Sequence, residues 1–400
     1  MAETIFKADL AAPDALSDAS IDAALDVMRD GRLFRYGEVA GGGKPAAALL
    51  EAEFAALMGG KYCAAVNSGG CAIFIALKAA GVAPGDKVLL NAFTLAPVPG
   101  AIAHAGATPV LVEINDRLTI DVDDLAAKAE ASGAKFLLLS HMRGHMSDMD
   151  AVATICARRG VRLIEDCAHT MGSDWDGRLA GRWGAAGCFS AQSFKHVNGG
   201  EGGLIVTDDE DLAARAILLS GSYMLYEQHQ ARPPMAAFER WRYETPNLSM
   251  RMNGLVAALL RPQLGELSER AARWRAVYDR VAGGLAGAQH IRLPEKPEKE
   301  GFSPTSVQFT FEGFDEAAIR AALAAAARRG VMIKWFGAEE PVGFTSRADH
   351  WRYIGERQAL PRTEAILARL CDVRLPAWLS EAECDDLAAA IREAVDEAAG

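Results

Sequence analysis

Long apolar runs and long basic runs are both missing from this sequence. No stretch reaches the roughly 18 apolar residues that a membrane-spanning helix requires. Residues 1–9 lack the basic and apolar regions of a secretory signal. Acidic residues outnumber basic ones, 53 to 42, and the formal net charge of −11 argues against nucleic-acid binding. We therefore expect a soluble cytoplasmic protein that acts on small molecules, with neither a nucleic acid nor a membrane as partner.

Paired cysteines are missing as well. The seven cysteines are an odd number, and none of them belongs to a C-x-x-C pair. Several lie inside apolar segments, which is typical of buried, reduced thiols in a cytosolic protein and excludes a disulfide framework. No cysteine and histidine set has the spacing of a zinc site, so the sequence predicts no metal centre.

The sequence does have length and a regular alternation of segments. Its 400 residues, half of them hydrophobic, are enough for two or three domains and a large core. From about residue 45 to 220, short apolar runs alternate with helix-like stretches. This alternation predicts an α/β fold with a mostly parallel mixed sheet between helices. Residues 222–250 show no clean period and are interpreted as a loop-rich excursion.

This pattern divides the chain into three parts. We expect an N-terminal segment and large domain over 1–250, a connecting segment at 251–290, and a smaller C-terminal α+β domain at 291–400. The connecting segment should contain a long amphipathic helix from Asn253 to Leu285. In the smaller domain, the apolar run at 331–334 predicts a strand.

One lysine stands in unusual surroundings. Lys195 follows small and apolar residues and precedes a glycine-rich turn at 199–203. A lysine in a cleft loses its proton more easily and can act as a nucleophile. Asp166, 29 residues earlier, ends the apolar run 161–166. An amine that binds an aldehyde, with a strand-end carboxylate that keeps a pyridine nitrogen protonated, is what pyridoxal phosphate (PLP) requires.

Two turns could hold the phosphate of such a cofactor. Residues 67–72 lie between a strand and a helix, where backbone N–H groups can reach a phosphate. The same turn could equally be an N-cap with Ser68 as the capping residue. It matches neither G-x-G-x-x-G nor G-x-x-x-x-G-K-[ST], so a dinucleotide or a P-loop nucleotide is not indicated. Ser190, five residues before Lys195, could reach the phosphate or bond to nearby backbone.

Several polar residues also allow more than one interpretation. Asp166 and His169 could face one cofactor, but a strand-end aspartate can also cap a turn, and an isolated Asp-x-x-His can be a fragment of a metal site. His196, beside the lysine, fits a packed or capping side chain better than a base. Arg32, Arg35 and Tyr36 could face a substrate carboxylate or phosphate, or could equally be solvated.

Read in order, the segments around Lys195 resemble the core of one protein family. The matching block comprises 165–169, 175–178, 184–190, Lys195 and 200–207. It is similar to the DegT/DnrJ/EryC1/StrS aminotransferases, PLP enzymes of fold type I that are best known for aminating keto sugars attached to nucleotides. The similarity extends over about residues 30 to 395, and its other segments are 68–72, 141–144, 148–150, 251–252, 257–258 and 375–376.

The resemblance implies a role for each residue that meets the cofactor ring. Lys195 matches the lysine that binds the PLP aldehyde and moves protons, and Asp166 matches the partner of the pyridine nitrogen. His169 occupies the position whose side chain bonds to the phenolic oxygen of the ring. Lys195 and Asp166 are therefore the expected catalytic residues.

The resemblance also implies how the phosphate is held. Ser190 and the backbone at Gly70 and Cys71 match the phosphate-binding positions. A residue just before the Arg-Met pair, here Ser249, would reach the phosphate bound by the neighbouring subunit. The family pattern thus implies a homodimer with composite active sites.

Four positions depart from the family pattern. Gly70 replaces a threonine of the phosphate turn, and Ser249 stands where an asparagine is expected. Leu95 replaces the aromatic residue that stacks on the ring, and Phe93 could substitute for it only in a different register. Residues 220–223 differ from the usual Arg-x-His-Gly-like segment. These changes leave PLP chemistry in place but weaken the inference to a nucleotide-sugar substrate.

The implied reaction is the transfer of an amino group from an amino acid donor, glutamate or glutamine, to a keto or aldehyde acceptor. The acceptor is expected to be a sugar or sugar-like metabolite. Two alternatives stay open: a PLP-dependent lyase or dehydratase on the same scaffold, and a PLP-binding protein without turnover. In this family a dehydratase carries histidine in place of the lysine, so Lys195 argues against that branch.

Overall fold

A seven-stranded mixed sheet forms the centre of the larger part of the molecule. It is seen in a computed structural model, which describes residues 3–37, 42–340 and 346–400. Its strands are β1 (Tyr62–Val66), β2 (Lys87–Asn91), β3 (Thr108–Val112), β4 (Phe136–Ser140), β5 (Arg162–Asp166), β8 (Ala186–Ser190) and β9 (Gly203–Thr207). Two short strands, β6 (Asp174–Trp175) and β7 (Arg178–Leu179), lie between β5 and β8 in the chain. The spatial order is β1-β9-β8-β5-β4-β2-β3.

Most strand pairs in this sheet are parallel, which confirms the predicted architecture. Parallel pairing joins β3 to β2, β2 to β4, β4 to β5 and β5 to β8. Strand β9 runs antiparallel to both of its neighbours, β8 and β1. The carboxyl ends of β4, β5 and β8 therefore meet at one edge of the sheet, where α/β folds place their ligands.

Helices cover both faces of the sheet. In chain order the helices are α1 (Asp18–Asp30), α2 (Ala46–Leu57), α3 (Gly69–Ala80), α4 (Pro97–His104), α5 (Val122–Ser132), α6 (Met149–Arg159), α7 (Glu210–Leu219), α8 (Met235–Trp241), α9 (Gly254–Leu285), α10 (Glu316–Arg328), α11 (Pro361–Leu367) and α12 (Glu381–Ala399). Successive residues of a strand point to opposite faces, so Leu137 and Leu139 join one buried cluster while Leu138 joins the other. Near-continuous apolar strands follow from this two-sided burial.

A smaller sheet lies in the C-terminal part of the chain. Its strands, β10 (Ile291–Arg292), β12 (Ser306–Phe311), β13 (Lys334–Trp335) and β14 (Leu370–Arg374), pair antiparallel in the order β10-β12-β14-β13. Strand β11 (Glu300–Gly301) pairs instead with β6. Val307, Phe309, Cys371 and Val373 point into one buried cluster with α10 and α12. The other face of this sheet therefore carries the polar residues of the same strands.

The predicted connecting helix is present as α9, whose N-cap is Asn253. Leu260 of this helix packs in a core cluster of the large sheet, and Val281 packs in that of the small sheet. The helix thus contacts both parts of the protein, while the predicted division at 1–250, 251–290 and 291–400 stays a prediction.

Two predictions of local structure need correction. The run 331–334 was expected to be a strand, but only Lys334 of it belongs to one. The N–H of Val331 donates to the carbonyl of Ala326 and closes the end of α10, so the chain reaches the sheet later than its apolar pattern indicates. The segment 222–250 is largely irregular as expected, but it also contains α8.

Candidate active site

Strand order brings three polar residues to one edge of the large sheet. Ser140, Asp166 and Ser190 are the last residues of β4, β5 and β8. Ser140 lies opposite Asp166 in the register of β4 and β5, and Asp166 lies opposite Cys188 in that of β5 and β8. The sequence predicted two members of this set and missed Ser140, whose position beside Asp166 depends on β4 and β5 being neighbours.

The Asp166 carboxylate is buried and held from two sides. The hydroxyl of Ser140 donates to Oδ2 over 2.7 Å, and the backbone N–H of Ala168 donates to Oδ1 over 3.1 Å. Thr94 donates in turn to the Ser140 hydroxyl over 2.8 Å. Burial raises the pKa of Asp166, whereas these hydrogen bonds and the charge of Lys195 favour the ionised form. A cation placed against this carboxylate would be strongly stabilised.

Lys195 lies in a short turn that follows β8. Its backbone N–H donates to the carbonyl of Gln192, and its Nζ lies 2.9 Å from Nε2 of His169. Burial lowers the pKa of Lys195 to about 7, and the charge of Arg143 adds to this effect while Asp166 opposes it. A substantial fraction of the amine is therefore neutral near pH 7 and can act as a nucleophile or a base.

His169 is buried and remains neutral. Burial, together with the charges of Lys195 and Arg143, holds the pKa of its imidazole well below the ordinary value. A neutral ring has one N–H donor and one acceptor nitrogen, so it can bond to an amine or to an oxygen. The structure brings His169 and Asp166 to the same site, together with Lys195, and thus joins the three residues that the sequence associated with the cofactor ring.

The N-terminus of α3 lies against the end of β8. A Cβ built on Gly69 would be 2.8 Å from the Cβ of Ser190, so only a glycine allows this approach. Ser68 caps the helix by accepting the N–H of Cys71 over 3.1 Å, which is the N-cap arrangement that the sequence left open. The Ser190 hydroxyl accepts the N–H of Gln192 over 3.3 Å and is otherwise available to a ligand. The positive end of the helix dipole thus meets a hydroxyl.

These features fit PLP. A buried carboxylate can pair with the pyridine nitrogen, a low-pKa lysine can bind the aldehyde, and a helix N-terminus beside a serine can hold the phosphate. Gly69 has no side chain, so Ser190 can lie close to the N-terminus of α3. Both groups can then contact the same phosphate. The fit rests on residues that come from β4, β5, β8 and α3.

Gly70 and Cys71 line an open cavity of about 640 Å³ beside the phosphate end of the site. Phe74, Leu248 and Met250 contribute apolar surface to the same cavity. Ser249 lies between two of these residues on an exposed stretch of chain, where its hydroxyl accepts a 3.3 Å hydrogen bond from Arg251. The predicted phosphate residues on α3 therefore line one cavity with the two chain neighbours of the predicted intersubunit residue.

Some residues that the sequence singled out have other roles. Arg35 is almost fully buried and forms a 2.8 Å ion pair with Glu51, while Tyr36 bonds to His229 over 2.8 Å. The contacts of Arg35 lie within the core, whereas Tyr36 also lines a cavity of about 290 Å³. Phe93 is fully buried and packs edge-on against Phe336 with ring centroids 5.0 Å apart. It therefore does not replace the aromatic ring that is missing at Leu95.

One buried group of His141, Glu165 and Cys167 has the ligand types of a metal site. The Glu165 carboxylate, however, already accepts the backbone N–H groups of Gly181, Trp183 and Gly184 over 2.9, 2.7 and 2.9 Å. One of its oxygens also lies 3.2 Å from Nε2 of His141. Burial holds the pKa of Cys167 well above the ordinary value, so its thiol stays protonated. This chemistry is suited to fixing the chain between β5 and β8 rather than to binding a cation.

His196 also has a structural role, as the sequence favoured. Its Nε2 lies 2.8 Å from the carbonyl oxygen of Ser303, and its ring packs edge-on against Trp274. Burial lowers the pKa of this imidazole to about 4. His196 therefore joins the turn of Lys195 to α9 and the small-sheet segment without serving as a base.

Fold and site together define a PLP-binding enzyme of fold type I. The family pattern described as the DegT/DnrJ/EryC1/StrS aminotransferase family matches residues 22–392, and the chain belongs to this family. The family assignment inferred from the segments around Lys195 is thereby confirmed, and PLP is the cofactor that family and site assign. In the part of the chain that the structure describes, no helix combines the length and apolarity needed to cross a membrane.

Relatives and solved structures agree with this family. The spore coat polysaccharide biosynthesis protein SpsC of Bacillus subtilis is 34% identical over 62% of this chain and 65% of its own length. The chain thus matches slightly less than two thirds of that relative. Among solved structures, S. venezuelae DesV is 28% identical with a TM-score of 0.79 over 94% of both chains. The structure of 3-amino-5-hydroxybenzoic acid synthase is 25% identical with a TM-score of 0.83, over 99% of this chain and 100% of that one.

Proposed function

We propose that this protein is an aminotransferase that moves an amino group from an amino acid donor, glutamate or glutamine, to a keto or aldehyde acceptor of sugar-like structure. The observation that carries the proposal is the group formed by Lys195, His169 and Asp166. A lysine with a pKa of about 7 lies 2.9 Å from a neutral imidazole, at the strand edge where a buried carboxylate ends β5. The family membership and the polysaccharide-related name of the Bacillus relative support the reaction and the acceptor class.

Lys195 has two tasks in this proposal. PLP, when bound, supplies an aldehyde for the amine and a ring that draws electrons away from the substrate Cα. Lys195 holds the aldehyde until a donor amine replaces it. Its freed Nζ then takes the proton from the donor Cα as a general base and returns it later as an acid. A pKa of about 7 suits both directions, because the neutral and protonated amine are comparably populated near neutral pH.

Asp166, His169 and Ser190 orient the cofactor. The Asp166 carboxylate, supported by the Ser140 hydroxyl, keeps the pyridine nitrogen protonated. His169 would offer an imidazole nitrogen to the phenolic oxygen of the ring; this nitrogen lies 2.9 Å from Nζ of Lys195. Ser190 and the amides of Gly70 and Cys71 hold the phosphate at the N-terminus of α3.

A homodimer completes the site in this proposal. The cavity beside Gly70 and Cys71 is open, and Leu248 on its border is half exposed. A second copy of the chain would cover this apolar surface and bring its own Ser249 toward the phosphate. Burial of such a patch is a normal driving force for stable association. Cytoplasmic location remains a prediction from the sequence.

The Lys195→Ala variant tests the reaction. Addition of glutamate should remove the visible absorbance of the yellow PLP form of the enzyme. Addition of an acceptor should restore this absorbance. The variant should not complete the cycle, whereas Lys299→Ala, which removes an exposed lysine, should behave as the wild type. Wild-type turnover by Lys195→Ala would refute the role of the lysine.

The same assay separates the alternatives. Release of ammonia or carbon dioxide without amination of any acceptor would favour a lyase. A yellow protein that no amino donor bleaches would favour a PLP-binding protein without turnover. A screen of carbonyl acceptors then identifies the substrate, since the protein must return to its aldehyde form as the acceptor is aminated.

A further inference from the structure

A continuous chain of buried polar contacts joins the small sheet to the segment that follows β4. His145, in that segment, has its Nε2 2.7 Å from Oε1 of Gln308 on β12. The amide Nε2 of Gln308 donates to Oδ1 of Asp372 on β14 over 2.7 Å. Oδ2 of the same carboxylate lies 2.7 Å from Nη2 of Arg143, which belongs again to the segment after β4. The chain of contacts thus begins and ends beside the large sheet and passes through two strands of the small one.

The Gln308 side chain is fully buried and is held in one orientation. Its Nε2 donates to Oγ of Ser306 over 2.7 Å as well as to Asp372, and its Oε1 faces His145. The His145 ring is stacked on that of Phe302 with centroids 4.9 Å apart, and burial lowers the pKa of its imidazole to about 4. The imidazole is therefore neutral near pH 7 and donates its Nε2–H to the amide oxygen. The amide N–H groups are thus directed at Asp372.

The position of Arg143 depends on Asp372. Asp372 is its one ion-pair partner among residues 3–37, 42–340 and 346–400, and the buried Nε of Arg143 has no hydrogen-bond partner within these ranges. The side chain of Asp372 is 7% exposed and that of Arg143 is 17% exposed. Removal of one partner from such a pair leaves the other poorly solvated. Without the carboxylate we therefore expect the long side chain of Arg143 to turn toward solvent.

The segment that carries Arg143 lies against the residues that meet the cofactor ring. A Cβ built on the adjacent Gly144 would be 3.1 Å from the carbonyl oxygen of His169, whose imidazole lies 2.9 Å from Nζ of Lys195. Arg143 also has a left-handed backbone, with φ of 60°, which a non-glycine residue adopts at a cost. After burial, its charge is the largest cause that lowers the pKa of Lys195. The guanidinium that Asp372 holds is thus a close neighbour of the reactive amine.

Other charged and titratable groups face the amine from β5, from β14 and from its own turn: Asp166, His169, His196, Asp372 and Arg374. Asp166 and Asp372 raise the pKa of Lys195, and Arg374 lowers it. Lys334 lies opposite Asp372 in the register of β13 and β14. Loss of the Asp372 charge alone would therefore lower the pKa of Lys195, whereas displacement of Arg143 would raise it. The two effects have opposite signs and can be told apart.

We infer that Asp372 is a positioning residue for the reaction: fixed by Gln308, it holds the Arg143 guanidinium beside Lys195, where the positive charge favours the neutral amine. This inference deepens the proposed function and rests on it, because the neutral amine is the form that binds an aldehyde and takes a proton from the donor Cα. The small sheet thus adjusts the reactivity of a lysine that belongs to the large sheet.

Titration of Lys195 in the full-length protein without cofactor tests this inference. Labelling by trinitrobenzenesulfonate, followed at this residue by mass spectrometry, gives the pH midpoint of the amine. Asp372→Ala should move the midpoint upward by about one pH unit, in the same direction as Arg143→Gln, because the guanidinium leaves the lysine. In the Arg143→Gln background the same substitution should move the midpoint downward, since only the charge of Asp372 is then lost. A residue that merely stabilised the fold would not produce this reversal.

Two further variants accompany the titration. Glu312→Ala removes a carboxylate that follows β12 and is 41% exposed, and it should leave the midpoint unchanged. Gln308→Leu removes the amide but no charge and should move the midpoint upward, so it replaces Asp372→Ala as the test if that variant does not fold.

A downward or unchanged midpoint in Asp372→Ala would overturn the inference, as would an upward shift that persists in the Arg143→Gln background. If Gln308→Leu is the variant that folds, an unchanged midpoint in it has the same consequence. Failure of glutamate to bleach the wild-type enzyme would instead overturn the proposed function, and the titration without cofactor does not depend on that result.

Discussion

Ser140 and Asp166 end neighbouring parallel strands, and the hydroxyl of Ser140 donates to the Asp166 carboxylate over 2.7 Å. The Ser140 hydroxyl thus contacts the carboxylate that is expected to pair with the cofactor nitrogen. Since burial raises the pKa of Asp166, each hydrogen bond to its charged form matters for keeping it ionised. The affinity of the protein for PLP should therefore depend on Ser140, which acts through Asp166.

The Ser140→Ala variant should bind PLP more weakly. Loss of the hydroxyl removes one hydrogen bond to a buried carboxylate, which raises the pKa of Asp166 further and weakens its pairing with the protonated ring. We expect an affinity loss of about 10-fold, from the usual value of a hydrogen bond to a charged group. The measurement is the dissociation constant of PLP from absorbance titration of the cofactor-free protein. Ser132→Ala, at the end of α5, is the control, and an unchanged affinity in Ser140→Ala would contradict the prediction.

The position of Ser140 shows where sequence reasoning ends. Lys195 and Asp166 could be recognised from the sequence because each lies in a short, characteristic segment. The two residues are 29 positions apart. Ser140 could not be placed beside Asp166, because the strand order is set by packing between segments. Asp372 and Arg374, whose charges act on the pKa of Lys195, were missed for the same reason, since the small sheet brings them near the lysine from the far end of the chain. For Ser140, the only signal in the sequence was its position at the end of an apolar run.

Local structure was predictable where independent sequence signals agreed. Helix α9 begins after Asn253 and ends at Leu285 as its pattern indicates, because capping and an apolar stripe agree there. The strand predicted over 331–334 was wrong. Its apolar residues are typical of a strand, but Gly330, with φ of 82°, and Val331 form the end of α10 instead. Phe93 does not substitute for the aromatic residue expected at Leu95, because its ring is fully buried in the core.

Lys195 should titrate near neutral pH in the cofactor-free protein. Burial and the charge of Arg143 lower its pKa to about 7 from an ordinary value of 10.5. The neutral amine predominates above pH 7, so labelling by trinitrobenzenesulfonate, followed at this residue by mass spectrometry, should rise with a midpoint near pH 7. Arg143→Gln removes a neighbouring positive charge and should move the midpoint upward.

An exposed lysine provides the internal control for this titration. Hydrogen bonding to Asp150 raises the pKa of Lys299, so its labelling should rise only at more alkaline pH. Both residues can be followed in the same digest. A Lys195 midpoint close to that of Lys299 would show that the amine is not perturbed by its surroundings.

Glu165 should be essential for stability rather than for chemistry. Its buried carboxylate accepts three backbone N–H groups from the segment between β7 and β8. Glu165→Ala leaves these donors unsatisfied and should lower the free energy of unfolding by about 3 kcal/mol or more. Glu165→Gln keeps one acceptor oxygen and should cost less. Urea denaturation measures both, with Glu53→Gln, whose side chain is 40% exposed, as control; equal stability of Glu165→Ala and wild type would refute this role.

Gly69 should be required for cofactor binding, whereas Gly70 should tolerate alanine. A Cβ at Gly69 would lie 2.8 Å from the Cβ of Ser190 and would push the end of β8 away from the N-terminus of α3. A Cβ at Gly70 would meet Pro97 at 3.5 Å, an ordinary contact, and its backbone N–H would remain in place. Separation of Ser190 from the helix dipole weakens two contacts to the phosphate at once. We therefore expect Gly69→Ala to lose PLP affinity by about 10-fold or more and Gly70→Ala by less than about threefold. Absorbance titration with PLP compares the two, and similar affinities for both variants would show that the approach of Ser190 to α3 does not form the phosphate site.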